Sequence, residues 1–269
     1  MEVLVVCHLF LISQMIISVV FLYIQFLLVV GICPFHTDER CTWVPKHYSR
    51  PSPTEVRRDK IQQEIMPLVT DMIHHAYNSY MTYAFPLDEL LPLSCSGRDA
   101  FGGLAVTLVD ALGTLAITGQ FYEFHKQARW VCENIHFDKD VQVSVFETNI
   151  RVVGGLLAAH FFYKEGVVLV DPMVHDYDGC LLRLATDLAD RLLPAFNTKT
   201  GLPYGSINLR HGVPEGETEV TSTASCGSFF LELHLLSVLT EDSKYVKAAK
   251  RAVQYLYMQK SSLPPTEVV

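Results

Sequence analysis

Basic runs, zinc-type cysteine motifs and glycosylation sequons are all missing from this chain of 269 residues. Its Lys and Arg number 21 against 29 Asp and Glu, giving a net charge of −8 and a pI of about 5.7. With no stretch of clustered cations, it lacks the footprint by which proteins grip phosphate backbones, so nucleic acid is excluded as a partner. No C-x-x-C and no zinc-type Cys/His spacing occurs among the seven cysteines, which removes the zinc-binding reading. None of Asn78, Asn134, Asn149, Asn197 and Asn208 lies in an Asn-x-Ser/Thr sequon, so glycosylation gives no clue to topology. Long runs of alternating apolar residues are also missing, which disfavours sheet folds. Disorder is excluded by a composition 49% hydrophobic and only 19% charged, with a mean hydropathy of +0.22.

The most local absence is of charge near the N-terminus. No Asp, Glu, Lys or Arg lies between Glu2 and Asp38, and Val3 to Cys33 is almost wholly apolar. A membrane-spanning helix needs roughly 20 such residues, and a cleavable signal has a core of roughly 7–15. Residues 1–33 therefore read as a hydrophobic signal or anchor segment, a helix preceding the main domain. Three alternatives stay open: an uncleaved anchor through residues 3–33, a cleaved signal, or a mistaken start. Cysteine usage does not settle the compartment. An apolar leader makes one disulfide plausible, while Cys132, Cys180 and Cys226 read as buried thiols on helices.

Behind this segment, residues 34–66 form a linker and helix start, punctured by Pro34, Pro45, Pro51 and Pro53. Helical signals begin near Thr54, with Pro67 expected to kink or restart the helix. Leu68, Met72, Ala76, Tyr77 and Tyr80 continue at helical spacing up to Pro86. Six more helices are expected, over about 103–118, 121–135, 147–164, 180–193, 221–240 and 242–259. Very short junctions at 119–120 and 240–242 predict antiparallel helix hairpins. A short β-hairpin or extended loop fits 197–211. Val106–Leu115 and Val152–Ala159 are small or apolar on every face, so they should be buried all round. The more charged helices 121–135 and 180–193 would form an outer layer. Fold class is therefore all-α, two-layered and built from helix hairpins.

Charges within those apolar helices need an explanation. Asp110, Glu147, Arg151 and Glu232 are each flanked by hydrophobic residues. Burying a carboxylate without a partner costs several kcal/mol, so each must find a partner or face a wet cavity. Glu147 and Arg151, four residues apart, suit either an intrahelical ion pair or a polar funnel holding a general acid. Asp110 and Glu232 suit either helix-to-helix hydrogen bonding or the lining of a sugar or metal site. Gly154 and Gly155 would let a neighbouring helix approach closely. His74 and His75, adjacent on a helix, point apart and are not a ligand pair.

Several runs carry a resemblance. His75-Ala-Tyr-Asn-Ser-Tyr, Ala84-Phe-Pro-Leu-Asp-Glu-Leu, Thr107-Leu-Val-Asp-Ala-Leu, Gly201-Leu-Pro-Tyr-Gly-Ser-Ile-Asn-Leu and Thr221-Ser-Thr-Ala occur in order. With them stands Ser144-Val-Phe-Glu-Thr-Asn-Ile-Arg-Val-Val-Gly-Gly-Leu-Leu-Ala-Ala-His. Together, from about Met72 to about Tyr255, they resemble glycoside hydrolase family 47, and within it the ER degradation-enhancing α-mannosidase-like group. The resemblance implies an (α/α)7 barrel, of which residues 67–258 would be roughly the N-terminal half, an incomplete barrel, with 259–269 a tail unlike the family. It implies inverting hydrolysis of α1,2-linked mannose with bound calcium. Glu147 falls at the family's general acid, and Arg151 at a contact to the mannose chain. Asp110 helps shape the inner wall and, with Glu232, counts among the expected substrate-binding residues. Cys95 matches a cysteine that pairs with a distant one, a disulfide candidate, and Gly113 stands where the family has Asp.

The implied partners are high-mannose N-glycans on misfolded glycoproteins and an ER redox or chaperone protein. The implied location is the endoplasmic reticulum, luminal or membrane-anchored. The family's other catalytic carboxylates, its calcium-ligating threonine and its last hairpins fall beyond residue 269, so no metal ligand is assigned. The expectation is a truncated mannosidase-like chain, inactive alone. A non-catalytic mannose-binding quality-control factor and a non-functional fragment are the competing readings.

Overall fold

The computed structural model describes residues 53–165 and 177–259. The apolar segment 1–33 and the tail from residue 260 onward lie outside the described residues. The chain divides into two compact units, one running up to Thr82 with Pro92–Ser94, the other comprising Tyr83–Leu91 and Cys95 onward.

The first unit is built on α1, Pro53–Tyr83, which runs through Pro67 as one helix instead of restarting there. Tyr77 and Tyr80 are buried, whereas Leu68 and Met72, at matching spacing, are exposed.

The body of the second unit is three helix pairs. α2 (Val106–Ile117) turns back at Gly119 into α3 (Phe121–Asn134). Gly119 has φ +76°, a left-handed turn that glycine adopts without steric cost. Next, α4 (Val145–Glu147), a π-helical turn (Thr148–Val153) and α5 (Gly154–Lys164) follow one another without a break. Their partner is α6 (Cys180–Leu192), which ends in a 3₁₀ turn, Leu193–Phe196. After α7 (Thr223–Gly227), α8 (Phe230–Thr240) pairs with α9 (Lys244–Met258). The single helix expected over 221–240 is thus two. Gly227 lies where an added Cβ would meet Leu256 at 3.0 Å, so the chain bends at the close approach of α9.

The layers follow hydropathy. α2 packs on α5, and α5 on α8, while α3 packs on α6 and α9 reaches the 3₁₀ turn below α6. Leu108, Val109 and Leu112 of α2, Leu156 and Leu157 of α5, and Leu236 of α8 are wholly buried. α3, α6 and α9 expose charged sides. Apolar helices form the inner layer because only burial on all sides removes their surface from water. Gly155 permits a close inner contact: an added Cβ would lie 2.8 Å from the Val109 carbonyl oxygen.

Two short antiparallel ladders complete the unit: β1 (Glu89–Leu91) with β2 (Ser96–Arg98), and β3 (Gln142–Ser144) with β4 (Ser206–Asn208). The extended segment expected at 197–211 therefore finds its main partner far away in sequence. Cys132 and Cys180 correct an expectation. Read as buried thiols, they form a disulfide joining α3 to α6. Their Cα atoms, 5.8 Å apart, sit within bridging range because the two outer helices pack together. Cys226 is buried as expected, and burial pushes its thiol up. Cys95, the disulfide candidate, is exposed and sits at φ 49°.

Candidate active site

The site grows from the end of β3. Ser144 caps the helix that follows, its Oγ accepting from the Glu147 backbone N–H at 3.3 Å. Glu147 thus stands in a first helical turn, where a carboxylate meets the positive end of the helix dipole. Val145 N–H donates to the Gly205 carbonyl at 3.0 Å, tying this start to the approach of β4. Beyond Glu147 the chain widens into the π-helical turn. Such turns are rare and collect at functional sites.

Arg151 lies within that turn. Its Nε donates to Asp110 Oδ2 of α2 at 3.1 Å, with side chains only 15% and 18% exposed. The guanidinium also stands over the Phe101 ring, 5.3 Å from the centroid, a cation–π arrangement. The intrahelical Glu147–Arg151 ion pair is therefore not made. The physical reason is depth: both Asp110 and Arg151 sit in apolar helices, and pairing them neutralises two poorly solvated charges at once. Pairing Arg151 with Glu147 would take the guanidinium from Asp110. As a result the half-buried Glu147 carboxyl has no hydrogen bond or ion pair among the described residues.

Glu232 enters from α8 and is only 7% exposed. Asn149 Nδ2, in the π-helical turn, donates to its Oε2 at 3.0 Å. Burial pushes this carboxyl up to about 7, against the pull of its hydrogen bonds. Gly154 leaves room beside it: an added Cβ would lie 3.6 Å from Glu232 Cγ. Thr148 Oγ1 and Asn149 Oδ1 are buried without a hydrogen-bond partner among the described residues.

All four sequence-derived residues of the inner helices therefore belong to the same group of elements, α2, α8 and the helix carrying Glu147. Asp110 meets Arg151 directly, Glu232 meets Asn149, and Glu147 stands apart from either pair. The roles of Phe101, Asn149 and Asp88 are not legible in the sequence. The pair Gly102–Gly103 beside Phe101 was the available signal for an unusual turn. Among the described residues no three or more of His, Cys, Asp and Glu come together as a metal site.

Hairpin-built helical layers with a carboxyl and a guanidinium on one inner helix define a class, and sequence comparison supplies the family. Glycosyl hydrolase family 47 matches residues 72–268, and the chain belongs to that family. ER degradation-enhancing alpha-mannosidase-like protein 2 of Mus musculus is 45% identical over 223 residues, covering 83% of this chain and 38% of the relative. An alpha-mannosidase I of Arabidopsis thaliana is 42% identical over 252 residues, 86% of this chain and 43% of the relative. The solved alpha-1,2-mannosidase from Trichoderma reesei superposes with a TM-score of 0.64 at 30% identity, covering 73% of this chain and 41% of that one. The chain therefore spans well under half the length of these relatives.

Proposed function

We propose that this chain is an α1,2-mannosidase-like protein of the endoplasmic reticulum. It would act on high-mannose N-glycans of misfolded glycoproteins bound for degradation, with Glu147 as general acid of an inverting hydrolysis. The observation that carries this reading is the Glu147 carboxyl, which Arg151 on the same inner helix leaves out by pairing with Asp110. Arg151 crosses to Asp110, and Glu147 keeps a half-buried carboxyl that no described group engages. A general acid needs that availability, because it must present a proton to the departing glycosidic oxygen. Arg151 commits Nε to Asp110, and its Nη donors would serve the sugar hydroxyls. Asp110 and Glu232 shape the wall around them. An inverting site also needs a carboxylate roughly 6.5–9.5 Å from the acid to activate water, a role given to none of these residues. Calcium, held by hard oxygen ligands, belongs to this reading as the family's expected ion. The ER redox or chaperone partner and the disulfide of Cys95 belong to this reading as well.

The test is calorimetric titration of the chain with an α1,2-mannobioside, beside NMR detection of released mannose. Wild type is expected to bind, and Glu147→Gln to bind equally. Arg151→Lys keeps the charge opposite Asp110 but loses the planar fork, so affinity should fall about tenfold. Binding that ignores Arg151→Lys would overturn the assignment. β-Mannose released by wild type and not by Glu147→Gln identifies the hydrolase. Binding without release identifies the mannose-binding quality-control reading.

A further inference from the structure

Asp88 is wholly buried, and its carboxylate sits inside a ring of backbone donors. Oδ2 accepts from the N–H groups of Phe101 and Gly103 at 2.7 and 2.9 Å. Oδ1 accepts from those of Leu104 and Val106 at 2.7 and 3.2 Å. Its own N–H donates to Asp99 Oδ1 at 3.2 Å, and its carbonyl accepts from Thr107 N–H at 3.1 Å. These four N–H groups, drawn from the six residues 101–106, converge because the chain curls into a nest-like cradle of the kind that elsewhere holds phosphate and other anions. Three positive φ angles produce the curl here: Gly102 at 77°, Gly103 at 73° and Ala105 at 49°. A non-glycine residue held at positive φ must be stabilised by its surroundings. Lys139 closes the nest from outside, Nζ donating to the carbonyls of Gly102 at 3.3 Å and Gly103 at 2.5 Å.

Both partners of Arg151 hang on this nest. Phe101, whose N–H is bound by Asp88, supplies the ring under the guanidinium. Val106, also bound by Asp88, opens α2, and Asp110 follows one helical turn later to accept from Arg151 Nε. We infer that Asp88 is a positioning residue of the sugar site: an internal anion that fills the nest at 101–106 and thereby sets both walls that aim Arg151. This rests on the proposed role of Arg151 for its functional meaning, though the structural coupling stands independently of it.

The experiment observes the Arg151 Nε–H resonance of the full chain by NMR, assigned by its disappearance in Arg151→Lys. In wild type the resonance should be displaced by the Phe101 ring and protected from exchange by Asp110. Asp88→Asn replaces an acceptor oxygen with an amide that opposes two of the four donors. The resonance should then move and its hydrogen exchange should quicken at least about tenfold, since the loop that carries both partners is loosened. Gly103→Ala strains the same turn at φ 73° while leaving every polar side chain in place, and an added Cβ meets nothing closer than 3.5 Å. It should move the resonance in the same direction, and it decides the matter if Asp88→Asn fails to fold. A folded variant of either kind with an unchanged Arg151 signal overturns the inference. Titration of α1,2-mannobioside into wild type keeps the two proposals separate. An Arg151 signal that answers to Asp88 but never to mannoside upholds the positioning role and sinks the sugar-binding one.

Discussion

Glu232 is the residue whose charge the fold opposes most. Its free carboxyl titrates near 4.5, and in the folded chain burial lifts it to about 7. The folded state therefore holds the proton more tightly than the unfolded state. Between those two values it carries more protons than the unfolded chain, so stability falls as pH rises through that window. Below 4.5 both states are protonated and the contribution is intact. Above 7 the loss is complete, on the order of 3 kcal/mol from the size of the shift. Urea midpoints at pH 5 and pH 8 should show this decline in wild type. Glu232→Gln, which cannot ionise, should be flatter and relatively more stable at pH 8. Parallel pH profiles for the two proteins would remove Glu232 from this role. At this scale the sequence was informative about which residues matter. Asp110, Glu147, Arg151 and Glu232 stood out because a charge in an apolar helix is costly. It could not say who pairs with whom, since spacing along one helix offered Arg151 a partner while α2 supplied a better one.

Among elements, α2 and α5 approach closely, and two glycines mark the limits of that contact. Gly155→Ala would drive a Cβ to 2.8 Å from the Val109 carbonyl, a backbone atom that can move only with its helix. A loss of about 1–3 kcal/mol is expected, the range for overpacking a filled core. Gly113→Ala would meet only Phe162 at 3.8 Å, ordinary van der Waals distance. There the gain in helix propensity should leave stability unchanged or raised by about 0.4–1 kcal/mol. Thermal melts should fall for Gly155→Ala and hold or rise for Gly113→Ala, and equal shifts would show that α2 and α5 can slide apart freely. The glycine pair 154–155 announced a close helix approach in sequence. The π-helical turn just before it did not, because Thr148–Val153 has no local composition that distinguishes a widened turn from an ordinary one.

For the second unit as a whole, the Cys132–Cys180 bridge is the covalent tie between outer helices. It closes a loop of sequence separation 48, and a native disulfide of this kind contributes typically about 2–4 kcal/mol. Cys132→Ser should lower the urea midpoint accordingly, and peptide mapping without reductant should recover the two cysteines in one linked fragment. Mapping that finds both as thiols would refute the bridge. The same outer layer explains why the pairing was illegible from spacing. Residues 132 and 180 become neighbours only after α3 and α6 have both packed on the inner helices.

What the sequence determined by itself was local and additive: helix positions from apolar periodicity, hairpins from short junctions, inner and outer layers from where charge is missing, and family membership from the run 144–160. Each depends on residues near one another in the chain, or on their total apolarity. The tertiary structure alone decided the partners: Arg151 with Asp110, Glu232 with Asn149, Cys132 with Cys180, β3 with β4, and the four N–H groups that converge on Asp88. Apolar burial is non-directional and can be read as a pattern, whereas hydrogen bonds and ion pairs are directional and short-ranged. Their partners exist only once packing has brought distant segments within about 3 Å of one another.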